Sequence, residues 1–370
     1  MAPVWSKQPF KAIYVAILMV KVPLMLLLGT RFAFKPFRPL GRLSFKITLI
    51  NSLVREWLLF AAQTRSSGMS SVKSDHEKIK ERCTQAQPAE IEHYTGVLTA
   101  QPTANPASVG GLWYPGPPSS TSDVKREKIV VHFPGGAFVM AFGADVNGQN
   151  FSKPVLEKLK ADRFFFAQYR VAEDESTRFP APMQDLVTFY HHVLSLGYDP
   201  SNILLSGDSA GANILTGFVR YLEETSVLPS PKGIMLWSPW TNPSVKVKEE
   251  YDQATNASAD LLPTKLLQWG IEAYFPVPLS KEVIPYLCPL HHAFKTKASL
   301  FVHTGDAEGL YESTRDFAQE MSEVEGNRVK LHVTEGASHN PVYARDGTGI
   351  VAEIYGAFED AHQFFYEDDQ

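Results

Sequence analysis

Residues 202–222 hold, without interruption, a short apolar strand, a tight glycine turn and a helix-forming stretch, and this order constrains the whole chain. Asn202-Ile203-Leu204-Leu205-Ser206 runs into Gly207-Asp208-Ser209-Ala210-Gly211 and then into Ala212 through Leu222. A G-x-S-x-G between strand and helix forces the serine onto a sharp turn, where the flanking glycines remove the side chains that would clash. Ser209 is pushed out of the sheet with its oxygen at a helix N-terminus. The five-residue pattern alone is weak, but its position between strand and helix makes it specific.

A serine that attacks a carbonyl needs donors for the oxyanion and a base for its proton. About seventy residues upstream, the buried-strand pattern Lys128-Ile129-Val130-Val131-His132-Phe133 ends in Pro134-Gly135-Gly136-Ala137-Phe138. Gly135 and Gly136 can turn backbone N–H groups toward a substrate oxygen. With the N–H of Ala210 they would form a three-donor hole, each donor worth about 3 kcal/mol of transition-state stabilisation. Among the histidines downstream, His291 and His292 sit side by side before a strand and His303 lies inside it, so these read as structural or surface residues. His339 lies instead in the small-residue loop Glu335-Gly336-Ala337-Ser338-His339-Asn340-Pro341, directly after the strand-like Val329–Val333. Loops at strand ends are where a rigid sheet presents catalytic side chains. For the acid that orients the imidazole, the loop Thr304-Gly305-Asp306-Ala307-Glu308-Gly309-Leu310 offers Asp306 and Glu308, and a carboxylate of either length fills the role.

With these residues in view, roughly residues 90 to 370 resemble the hormone-sensitive-lipase-like branch of the α/β-hydrolases, most similar to its fungal members. The resemblance rests on GDSAG at 207–211, PGGAF at 134–138, Tyr169-Arg170-Val171-Ala172 followed by Phe179-Pro180-Ala181, Ser238-Pro239-Trp240, and Cys288-Pro289-Leu290. It implies the triad order serine, acid, histidine and an oxyanion loop at 134–138. The family's G-x-x-D-x-L segment aligns Gly305 and Leu310 around Glu308, which the resemblance therefore favours over Asp306. The chain departs from the usual HGGG in having Pro134 and Ala137 at its first and last positions, so no role passes to a histidine there.

The expected fold class is α/β: an α/β-hydrolase fold with a mostly parallel eight-stranded sheet, helices on both faces and a helical cap. Strand-like runs fall at 95–100, 110–114, 128–133, 163–169, 202–206, 233–238, 298–303 and 329–333. Residues 241–297, too long for a simple crossover loop, read as the cap, within a catalytic domain at 91–370. Trp237, Trp240, Trp269, Phe138 and Phe142 are candidates for an apolar pocket, although most such aromatics are ordinary core. A net charge of −5 argues against nucleic acid. Without a C-x-x-C, H-E-x-x-H or Walker loop, no metal or nucleotide cofactor is expected, and Cys83 and Cys288 are too few for a disulfide framework.

Residues 1–90 are different in kind. From Met1 to Arg55 there is no acidic residue, while nine lysines and arginines surround the apolar run Ala12–Leu28. That run would span about 25 Å as a helix, with Lys21 and Pro23 in its middle. A second segment, Ile47–Gln63, is amphipathic, with Ile50, Leu53, Val54, Trp57 and Leu58 opposite Asn51, Ser52, Arg55 and Glu56. An interfacial or single-pass membrane anchor through residues 12–28 is the favoured expectation. The alternatives are a cytoplasmic protein whose N-terminal arm packs on the cap, and a cleaved targeting peptide. Gln63–Ser74 reads as an exposed linker.

Taken together these features predict a serine carboxylester hydrolase, with Ser209 as nucleophile, His339 as base, Glu308 as acid, Gly135, Gly136 and Ala210 as oxyanion donors, and an apolar small-molecule ester as substrate. The same machinery also serves acyl transfer, cyclisation or ester trimming in fungal natural-product assembly, and a non-catalytic receptor is the more distant alternative.

Overall fold

Eight short runs pair into one sheet in the computed structural model, which describes residues 3–68 and 79–367. The strands are β1 (Cys83–Ala86), β2 (Val109–Tyr114), β3 (Ile129–Phe133), β4 (Arg163–Ala167), β5 (Ile203–Asp208), β6 (Gly233–Trp237), β7 (Ser299–Gly305) and β8 (Val329–Thr334). Their order is β1-β2-β4-β3-β5-β6-β7-β8. The run from β4 to β8 is parallel, and β1 and β2 form an antiparallel edge.

Strand periodicity explains why both faces are covered. In β3, Ile129, Val131 and Phe133 enter one core cluster while Val130 enters another; β5 splits Ile203 and Leu205 from Leu204 in the same way. A strand that is apolar on both sides needs a helix layer on each. One layer holds α4 (Ala181–Ser195), α5 (Ser209–Thr225) and α9 (Tyr311–Ser322), contributing Leu186, Phe218 and Phe317. The other holds α3 (Ala144–Glu157) and α11 (Val351–Tyr366), contributing Phe151, Val155, Ile354 and Phe358. The segment between β6 and β7 carries α6 (Val247–Gln253), α7 (Thr264–Tyr274) and the single turn α8 (Ile284–Leu287), and α10 (Pro341–Thr348) follows the last strand.

One expected strand is absent and an unforeseen one takes its place. Residues 95–100 are not a strand: Gly96–Thr99 is a 3₁₀ turn in which Gly96 has φ +53° and Leu98 is fully buried. The first strand is Cys83–Ala86, whose CTQA sequence carries little β signal and which owes its form to pairing with β2.

The N-terminal residues form α1 (Phe10–Gly29) and α2 (Phe45–Thr64). Of the expected linker, Gln63 and Thr64 end α2, and 69–74 lie outside the described residues. Phe10–Ala33 is one helical stretch long and apolar enough to cross a membrane, and its most apolar window is only 11% buried. The amphipathic segment in α2 is engaged on both faces: the polar Asn51 and Glu56 are buried, at 3% and 7% exposure, as is the apolar Leu58, whereas Trp57 is half exposed.

Candidate active site

Every parallel strand that carries a predicted site residue delivers it at its carboxyl end, so separate loops converge at one edge of the sheet. Ser209 follows β5 at the start of α5, with φ +51°. That left-handed conformation is costly for a residue with a side chain and is held by its surroundings. Gly211 allows the turn to close, because a Cβ there would lie 2.1 Å from the Phe133 carbonyl oxygen.

The three predicted triad residues form one hydrogen-bonded line. The Ser209 hydroxyl lies 2.9 Å from His339 Nε2, and His339 Nδ1 lies 3.1 Å from Glu308 Oε2. Glu308 rather than Asp306 reaches the imidazole. Asp306 instead pairs with Arg42 and accepts the Gly336 N–H at 2.7 Å, which ties the acid loop to the histidine loop from outside. Burial alone would lower the pKa of His339. The hydrogen bond and charge of Glu308, helped by Asp260 and Asp208, outweigh it and hold the imidazole above the ordinary histidine range. His303, by contrast, is pushed down to about 3 by burial and bonds Thr334 within the sheet.

Gly135 and Gly136 lie in the loop after β3, against the elbow. A Cβ on Gly135 would stand 2.9 Å from Ser209 Cβ, so only glycine lets this backbone approach the serine so closely. Ala210 is the second residue of α5, where N–H groups have no intrahelical acceptor and the helix dipole is positive.

Several supporting residues lie outside the predicted triad and oxyanion donors. Ser238 donates to Glu308 Oε1 at 2.7 Å and accepts the Asn340 N–H at 3.1 Å, joining the acid to the residue after His339. Asp208, inside the elbow, is 2% exposed and receives hydrogen bonds from His132 Nε2, the Tyr343 hydroxyl and Asn340 Nδ2. Asp260, 1% exposed, accepts the backbone N–H of both His339 (3.0 Å) and Gly309 (2.8 Å). A carboxylate at the end of a buried strand needs such partners, which is the one clue the sequence offered for Asp208. Nothing local marks Asp260.

Helix α2 completes this scaffold. Asn51 donates to the Ala259 carbonyl at 2.8 Å and accepts from Ser338 at 2.9 Å, bridging the insertion to the residue before His339. Arg55 donates to the carbonyls of Ala257, Asp260 and Leu262. Asn51→Leu leaves both of its buried partners without a donor or acceptor. It is expected to lower stability by about 2–4 kcal/mol in urea unfolding of the full chain, with a matching loss of kcat; an unchanged midpoint would mean that α2 is dispensable to the site.

The line of residues opens at the base of a cavity of about 420 Å³. Ile50, Val54, Trp57 and Leu58 of α2 form one wall, Leu261, Leu262, Leu266 and Leu267 another, and Phe142 the rim. Of the five aromatic candidates only Phe142 lines this cavity. Trp237 is sheet core, and Phe138 stacks on Trp240 and on Tyr274 of α7, all of them at 0–1% exposure, while Trp269 is buried beneath Arg65. Aliphatic side chains line most of the cavity because the insertion and α2 supply them. Among the described residues, one group suited to a metal ion, Glu90 with His93 and His191, lies outside the cavity.

Comparison with known proteins gives the same outline. A family model described as alpha/beta hydrolase fold matches residues 130–342. An esterase of Acinetobacter venetianus is 24% identical over 211 residues, covering 55% of this chain and 64% of that protein. An acetyl-hydrolase of Streptomyces hygroscopicus is 28% identical over 141 residues, covering 38% of this chain and 46% of that protein. The chain thus spans less than two thirds of either curated relative. A crystal structure of an esterase from the bacterial hormone-sensitive lipase family superposes with a TM-score of 0.59 at 20% identity, over 86% of this chain and 98% of that one, a likeness of fold.

Proposed function

The chain belongs to the α/β-hydrolase fold family, and from that premise we propose that it is a serine carboxylester hydrolase of the hormone-sensitive-lipase-like branch, acting on an apolar small-molecule ester. The observation that carries this reading is the unbroken hydrogen-bonded line from Ser209 through His339 to Glu308 at the floor of a cavity walled by aliphatic side chains. Ser209 Oγ attacks the ester carbonyl while His339 Nε2 takes its proton. The carbonyl oxygen, now negative, receives the N–H groups of Gly135, Gly136 and Ala210. His339 then delivers the proton to the departing alcohol, and water repeats the sequence on the acyl-enzyme. Glu308 keeps the Nδ1 proton in place, so that Nε2 faces the serine with its lone pair.

The test is labelling by a fluorophosphonate, with the adduct mapped to Ser209, together with hydrolysis of a series of p-nitrophenyl esters. A folded protein that neither labels nor hydrolyses any of them would overturn the reading. Products formed only when an alcohol or amine acceptor is added would reassign the chemistry as acyl transfer.

The raised pKa of His339 sets a pH dependence. The imidazole serves as base only when neutral, so a pKa held above the ordinary value moves the rising limb of kcat/KM to an inflection above about 6.5. A pH profile on a short-chain ester checks this, and Glu308→Gln should move the inflection downward.

A further inference from the structure

α1 is bound to the protein along one narrow stripe and apolar nearly everywhere else. Lys11 bonds Ser66, the Tyr14 ring packs on Phe60 at 5.2 Å, Lys21 pairs with Glu56 at 2.6 Å, and Gly29 fits against Leu49. These contacts follow the full length of α2, which Asn51 and Arg55 fasten to the catalytic body. The helix therefore lies along the body instead of projecting from it. Its other sides leave Met19, Val20 and Leu27 at 67–73% exposure, with Leu24 and Leu28 near half. A helix apolar all round is ordinarily covered, either by core or by lipid.

We infer that α1 is an interfacial helix that docks the protein on an anionic bilayer and sets the cavity mouth beside that bilayer, so that ester substrates enter from the lipid. Charge selects lipid as the occupant. The helix and its flanks contain no acidic residue, and the exposed Lys7, Arg31 and Lys35 lie at its two ends. Phe34 and Phe37, 66% and 59% exposed, alternate with these cations just past the helix, an arrangement suited to a headgroup layer. Lys21, which would oppose burial in hydrocarbon, is neutralised on the protein side by Glu56. The mouth is adjacent: Trp57 follows Glu56, precedes Phe60 by one turn of α2, and packs on Phe142 at 5.8 Å at the rim. The docking does not depend on the esterase reading, whereas the entry of esters from lipid rests on it.

The test uses the full chain and Val20→Glu, Leu24→Glu and Leu27→Glu combined, positions exposed and outside the cavity, where glutamate is a good helix former. Flotation with vesicles of phosphatidylcholine containing about 30 mol% phosphatidylserine should carry the wild-type chain, and pure phosphatidylcholine less of it. The triple variant should bind at least about tenfold less, hydrolyse a water-soluble short-chain ester within about twofold of wild type, and lose most hydrolysis of a long-chain ester dissolved in the vesicles. Wild-type chain that does not float, or a variant that floats equally, overturns the docking. A wild-type dimer that ignores lipid and becomes monomeric in the variant also overturns it, assigning the face to a second copy. Equal hydrolysis of the vesicle ester by both proteins overturns entry from lipid. Flotation without hydrolysis of any ester would leave the docking standing and overturn the esterase reading instead.

Discussion

Ser209→Ala is expected to lower kcat/KM for a short-chain ester by about 10⁴-fold or more while leaving the fold in place. The side-chain hydroxyl makes its hydrogen bond to His339 and to no group that holds the scaffold together. His339 remains fixed by Glu308 through its ring and by Asp260 through its backbone, so removing one oxygen leaves the loops where they are. Thermal unfolding should therefore shift by no more than about 2 °C, and alanine relieves none of the left-handed strain at this position. Fluorophosphonate labelling should vanish with activity. A folded Ser209→Ala protein that keeps more than a few per cent of its turnover would remove Ser209 from the role of nucleophile.

Glu308→Gln should cost about 10³–10⁴ in kcat, against less than about tenfold for Asp306→Asn. The glutamine can still accept from Ser238 and from the Gly305 N–H through its oxygen, which directs its NH₂ group at His339 Nδ1. Two donors then face each other. The imidazole answers by placing its proton on Nε2, where it meets Ser209 as a donor and cannot accept the hydroxyl proton. Asp306 has no contact with the imidazole, and its neutral amide weakens only the pairing with Arg42 and the hold on Gly336. Its cost should fall on stability. Steady-state kinetics of both variants decide the matter, and the opposite ranking would transfer the orienting role to Asp306.

The sheet was legible because short, near-continuous apolar runs identify strands covered on both sides, and the elbow was legible because only glycine tolerates its close contacts at 207 and 211. Ser209, His339 and the loop holding Glu308 each follow a strand in sequence, so strand recognition carried them along. What stayed hidden has no local cause. Asn51 meets Ser338 across 287 residues and Ala259 across 208, and a polar helix face looks the same in sequence whether water or carbonyl groups await it. The short edge strand at Cys83–Ala86 owes its form to β2, and the cavity walls come from two segments, α2 and the insertion, that only the tertiary fold brings together. Nothing local marks the grip of Asp260 on the loops that hold Glu308 and His339.

The bridge made by Asn51 has a consequence for how the protein is born. At roughly 5–20 residues per second, Asn51 is made about 15–60 s before Ser338, and until then its amide oxygen lacks that partner. The helix must stay wet, or be held by a chaperone or a lipid surface, while the sheet assembles behind it. Nascent chains arrested before β8 therefore lack the histidine and also the final fastening of the wall opposite it. A helix made early and a loop made late close the same pocket.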